Sequence, residues 1–201
     1  MIIKKTLSLA VSIISVIILQ ILFTTNSNSQ EENSKYYSQD TGVLSLMYHR
    51  FNENKYPSTN IKMEIFDQQM AIIKELNFKF YDPKLFLEEF YKSKKEKKIL
   101  ITIDDGFKSF YTEAWPYLKK NKIPFILFVS TEPIGKKGYM NWDEIKEIDN
   151  SELGYIGHHS HTHEYLIDMN YSEFVKDIET ATSIFKENLG YKPPIFSYPF
   201  G

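Results

Sequence analysis

Four of the five histidines in this chain fall within six positions, His158-His159-Ser160-His161-Thr162-His163, and two adjacent acids, Asp104 and Asp105, close an apolar run. A lone histidine is more often packed or solvated than a ligand, and Asp104-Asp105-Gly106 on its own reads equally well as a turn after a strand. Together the two groups reverse both readings, because histidines and acids at ligand spacing mark metal sites. His159 and His163 stand at i and i+4, a spacing that on a helical turn sends both imidazoles the same way, and one carboxylate would complete an open three-ligand site. Zinc suits two histidines and an aspartate, and would supply a hydroxide near neutral pH and polarise a carbonyl. Non-haem iron takes the same set, so the ligands alone leave the metal open.

The elements that must carry these residues are legible in the surrounding pattern. Ile99-Leu100-Ile101-Thr102-Ile103 is rich in β-branched residues with no polar alternation, the composition of a strand buried on both faces of a parallel sheet. Gly154-Tyr155-Ile156-Gly157 is a shorter strand directly before the histidines. Acids and imidazoles therefore both lie at carboxyl ends of strands, where α/β and barrel folds keep their chemistry. Four further strands are expected at Val43–Tyr48, Phe78–Tyr81, Pro124–Val129 and Ile195–Tyr198. Between them, Phe66, Met70, Ile73 and Leu76 recur at helical spacing, and a second helix begins at Asp82-Pro83 and runs through Leu85, Leu87 and Phe90 into the lysine-rich run Lys92 to Lys98. Others span roughly Tyr111 to Lys120, a short segment capped by Asn141, and Phe174 through Leu189, stopped by Gly190. Alternating strands and helices predict an α/β fold, a parallel sheet whose right-handed crossovers would close it into a (β/α) barrel.

The 201 residues, 42% hydrophobic, supply one globular domain and not comfortably two. A formal net charge of −2 gives no basic face, so nucleic acid is not an expected partner. With no cysteine, disulfides and thiolate metal sites are excluded. Two lysines precede an apolar run from Leu7 to Phe23, so residues 1–29 read as a signal peptide or an N-terminal membrane anchor. Residues 30–41 form a polar linker ahead of the domain at 42–201. This places the protein outside the cytoplasm: in the periplasm, the cell envelope or the medium, with membrane contact through the N-terminal segment if it is retained as an inner-membrane anchor.

Thr102-Ile103-Asp104-Asp105-Gly106, His159-Ser160-His161-Thr162-His163 and Tyr198-Pro199-Phe200-Gly201 resemble, in order and spacing, the first three motifs of the polysaccharide deacetylases, the NodB-homology or carbohydrate esterase family 4 domain. Leu46-Met47-Tyr48-His49-Arg50 is similar to the entry strand of the branch that deacetylates poly-N-acetylglucosamine. The resemblance implies hydrolytic, metal-dependent N-deacetylation of an N-acetylglucosamine-containing polysaccharide, with zinc the expected divalent metal. By position it makes Asp104 the general base and Asp105, His159 and His163 the metal ligands, and it gives the backbone N–H of Phe200 to the oxyanion. His49 and Tyr198 are expected to line the site; His158 and His161 are left over, as supporting or solvent-facing residues.

Two departures qualify the resemblance. Ser197 stands where many relatives carry an arginine that orients the catalytic acid, a change the poly-N-acetylglucosamine branch tolerates. The family's later motifs, including a histidine that protonates the leaving amine, would fall beyond Gly201. The expectation is thus a domain incomplete at its C-terminus and of low activity as it stands. The competing reading is a catalytically impaired, membrane-tethered glycan-binding domain on the same fold.

Overall fold

The computed structural model describes residues 42–85 and 96–201. The signal or anchor at 1–29, the linker at 30–41, and most of the helix expected through Leu87 and Phe90 with the start of the lysine run lie outside the described residues. The elements in chain order are β1 (Val43–Tyr48), β2 (Arg50–Phe51), β3 (Asn60–Ile61), α1 (Met63–Glu75), β4 (Lys79–Phe80), β5 (Lys98–Asp104), α2 (Trp115–Asn121), β6 (Phe125–Val129), α3 (Trp142–Asp149), β7 (Gly154–His158) and α4 (Tyr171–Leu189). No helix among the described residues is long and apolar enough to cross a membrane.

Five strands form one all-parallel sheet in the order β1-β5-β6-β7, with β4 adding to β5 at Lys79–Phe80. The α/β arrangement expected from the alternating pattern is present, and among the described residues it is an open arc, not a closed barrel. Ile195–Tyr198, expected as a sixth strand, joins β7 through the single parallel bridge His158 to Phe196, with the His158 N–H donating to the Ile195 carbonyl at 2.9 Å. β2 and β3 form a separate two-residue parallel pair that the pattern did not disclose, since two residues carry no periodicity.

The register is what matters for chemistry. Tyr48 pairs with Ile103, Asp104 with Phe128 and Val129 with His158, so all four strands finish level. His49, Asp105, Ser130 and His159 consequently follow along one edge. Beneath them, Ile99, Ile101 and Ile103 of β5 pack with Phe125 and Leu127 of β6, and Phe66, Met70 and Ile73 turn the buried face of α1 onto the same core. Leu76, expected on that face, lies past the last helical turn and is exposed.

Helix ends follow their sequence signals. Asn141 and Asn170 each accept the N–H of the glutamate three residues on, Glu144 and Glu173, whose carboxylates return a bond to the cap, closing capping boxes on α3 and α4. Gly190, at φ 83°, ends α4 in the left-handed conformation glycine adopts without strain. Phe110–Ala114 forms a π-helical turn leading into α2, within the helix expected over Tyr111 to Lys120.

Gly157 sits opposite Phe128 on β6, and a Cβ there would fall 2.3 Å from the Phe128 ring. Gly157→Ala should therefore cost about 1–3 kcal/mol through overpacking and lower the melting temperature. An unchanged melt would mean that the ring can swing aside.

Candidate metal centre

Two adjacent residues on a continuing strand would point their side chains to opposite faces. Asp104 is the last residue of β5, but Asp105 has φ 76°, a left-handed conformation that aspartate tolerates better than most residues. Gly106 continues it at φ 77°. The turn brings the second carboxylate back beside the first: Asp104 Oδ2 lies 4.0 Å, and Asp105 Oδ1 3.4 Å, from the same His159 Nε2. Both acids are buried, at 4% and 8% exposure.

His159 follows β7 and His163 closes the next turn. The i, i+4 spacing works here without a helix, which corrects the physical reason given by the pattern. Ser160 and His163 take positive φ, 67° and 60°, and the resulting loop folds the second imidazole over the first, with ring centroids 5.0 Å apart. The Ser160 hydroxyl accepts the His163 N–H at 3.1 Å across this turn. His163 Nε2 then lies 2.9 Å from Asp105 Oδ1. Asp105, His159 and His163 each bring one ligand atom, all within 4.8 Å of one another.

These residues fit a divalent metal. His159 Nδ1 donates to the Ser197 carbonyl at 2.8 Å, which leaves the Nε2 lone pair facing the triad. Asp105 Oδ1 is buried and, despite its short approach to both imidazoles, has no aligned hydrogen bond, as expected of an oxygen aimed at a cation. Two histidines and one carboxylate also leave coordination positions open for water and substrate.

The electrostatics separate the two acids. Burial raises the carboxyl of Asp104 above its ordinary range, only partly opposed by His159 and His49. Burial acts on Asp105 in the same sense, but its polar contacts with His159 and His163 overturn that and hold it well below the carboxylate range. His163 answers in kind: burial alone would lower it, and contact with Asp105 raises it above the usual imidazole value. Asp105 is thus a fixed anion, and Asp104 is the basic one of the pair.

The remaining residues expected at the site divide. His49, next after β1, stands level with Asp104, and its charge is felt by both carboxylates. The Phe200 ring packs edge-on against His163 at 4.9 Å and stacks on Tyr165 at 3.9 Å and 13°. Tyr198 is exposed and joins the ring of Phe196, which in turn lies against His158. His158 is buried between Phe185 and Phe196, and its Nδ1 accepts the Ser160 N–H. His161 faces Thr131 Oγ1 at 2.8 Å. Neither leftover histidine belongs to the triad. Sequence reasoning missed Ser130, whose hydroxyl donates to the His159 carbonyl at 2.7 Å, and Thr131, although their place at the end of β6 was a usable signal.

The sequence profile of the polysaccharide deacetylase family matches residues 91–201. The poly-β-1,6-N-acetyl-D-glucosamine N-deacetylase of Staphylococcus epidermidis is 27% identical, the alignment covering 88% of this chain and 71% of that protein. The enzyme of the same name from Staphylococcus aureus is 23% identical over 87% and 70%. Among solved structures, IcaB from Ammonifex degensii is similar with a TM-score of 0.73 and 31% identity, over 80% of this chain and 75% of its own. Streptococcus pyogenes deacetylase PplD shares the fold at a TM-score of 0.69 and 21% identity, over 79% and 74%.

A raised His163 stabilises the metal-free fold fully below its unfolded pKa, and this stabilisation is lost as pH rises through the folded value; the depressed Asp105 stabilises above its own unfolded pKa and is lost toward acid. The pair thus favours folding between about pH 4 and pH 6.5. The metal-free protein should lose melting temperature as pH rises above about 6.5 through the raised His163 value, and zinc uptake there should release a proton, read by calorimetry in buffers of different ionisation enthalpy. A flat melting temperature with no proton release would exclude the pairing.

Proposed function

The chain belongs to the polysaccharide deacetylase family, and from that premise we propose that it is a metal-dependent hydrolase that removes acetyl groups from a β-1,6-linked N-acetylglucosamine polymer. The observation that carries this reading is the buried Asp104 carboxylate beside Asp105, His159 and His163, three residues whose ligand atoms converge closely enough to hold a metal ion. The glycan is taken from the similarity to the staphylococcal poly-β-1,6-N-acetyl-D-glucosamine N-deacetylases.

Asp105, His159 and His163 would hold the metal. A divalent ion such as zinc, when bound, lowers the pKa of water toward neutrality and polarises a carbonyl oxygen. Asp104, raised by burial and not engaged as a ligand, takes a proton from the attacking water as it adds to the acetamide carbon. The backbone N–H of Phe200 is assigned to the oxyanion that develops, a role for a fixed donor of any side chain. His49, next after β1 and level with Asp104, is close enough to influence both carboxylates electrostatically and is expected to line the site, while the departing nitrogen takes up a proton as the C–N bond breaks. The products are acetate and a free amine on the sugar. The exposed Tyr165–Phe200 stack beside His163 offers a flat aromatic face, which supports a sugar ring as the substrate. Residues 1–29 would export the enzyme or anchor it, with 30–41 as the tether of the domain at 42–201, consistent with a substrate outside the cytoplasm.

Asp104→Asn should cut acetate release from N-acetylglucosamine oligomers by about 100-fold or more while zinc binding is retained. Equal release by variant and parent would remove Asp104 as the base. His49→Ala should slow release at unchanged metal affinity, and its full retention of activity would remove His49 from the reaction.

A further inference from the structure

We propose that Asp177 is a positioning residue for the metal centre: from the buried face of α4 it fixes the backbone between His159 and His163 and thereby sets the convergence of the two imidazoles. The proposal rests on the metal reading above. Asp177 is 6% exposed and shares its helix face with Ala181 and Phe185, so nothing on its own element satisfies it. Its partners all come from the loop between the two ligands. Oδ1 accepts the His161 N–H at 2.7 Å, and Oδ2 accepts both the Thr162 N–H at 2.9 Å and the Thr162 hydroxyl at 2.7 Å.

A buried carboxylate is costly unless its charge is met by donors, and these three are charge-assisted bonds of the strong kind. They act where the loop most needs support. Ser160 and His163, on either side of the two held residues, are both left-handed without being glycine, conformations that persist only when the surroundings over-determine them. From the other side the loop is gripped by β6 and the residues after it: Ser130 holds the His159 carbonyl and Glu132 N–H donates to the His161 carbonyl at 3.0 Å. Asp177 is the grip from the α4 side. Residues that orient metal ligands without touching the ion alter affinity when changed.

The test is metal affinity of the full chain, stripped of metal and titrated with zinc against a chromophoric chelator, with the visible spectrum of the cobalt form as a second readout. Asp177→Asn keeps the shape but puts an amide donor where an acceptor is needed, and should weaken binding by about 10–100-fold and shift the cobalt bands. Thr162→Val, which removes only the hydroxyl bond, should weaken it less and keeps the question open to measurement if Asp177→Asn fails to fold by circular dichroism. Parental affinity and an unchanged cobalt spectrum in a folded Asp177→Asn, or in Thr162→Val if the first unfolds, would overturn the positioning role. His163→Ala separates the two levels. If it abolishes tight binding while Asp177→Asn does not, the positioning role alone falls; if His163→Ala binds as the parent does, the metal reading falls and takes the proposal with it.

Discussion

Two carboxylates buried side by side at the end of an apolar strand are tolerable only if positive charge is brought to them, and the site is organised around that demand. Burial pushes both toward the neutral acid, and a cationic neighbour is what splits their fates. Asp105 meets two imidazole nitrogens and stays an anion; Asp104, further from them, keeps the burial penalty. A divalent ion at the triad would meet the same demand with a full double charge. The strand beneath supplies the other half of the arrangement, because Ile99, Ile101 and Ile103 belong to the buried core from which the two acids emerge at the end of β5.

The parallel sheet explains how residues so far apart in the chain share this edge. Strands that run the same way and finish level deliver whatever follows them to one place, so His49, Asp105, Ser130 and His159 meet although about a hundred residues separate the first from the last. An antiparallel sheet would have scattered them between two ends.

Much of this was legible before the fold was known, for identifiable reasons. The strand ending in two acids has a composition that only double-sided burial explains, and His159 and His163 declare themselves by clustering. Helix ends at Asn141 and Gly190 are local events written in local chemistry, and the cap at Asn170 is one the pattern offered without being read. What stayed hidden is long-range or too short to have a period. Asp177, three residues after Phe174 and four before Ala181, falls within the apolar stripe of its helix, but only the tertiary fold shows that its carboxylate meets the loop between the two histidines. The two-residue strands β2 and β3 have no pattern to read. The i, i+4 histidines were located by a helical argument, yet a left-handed loop brings them together, a case of the right residues found through the wrong geometry.

The bond from His159 to the carbonyl of Ser197 bears on how freely that segment can change. The imidazole is oriented by main chain, not by the side chain at 197, so the identity of that residue is uncoupled from the tautomer of the ligand. What is coupled is its position. Among the described residues, Ile195–Ser197 joins β7 through one bridge, and the carbonyl that orients the His159 ring belongs to that same segment. The orientation of the His159 ring therefore reports on the seating of that segment, and a slip of the backbone there would free the ring to turn and disturb the convergence of Asp105, His159 and His163 while β1, β5, β6 and β7 stayed paired.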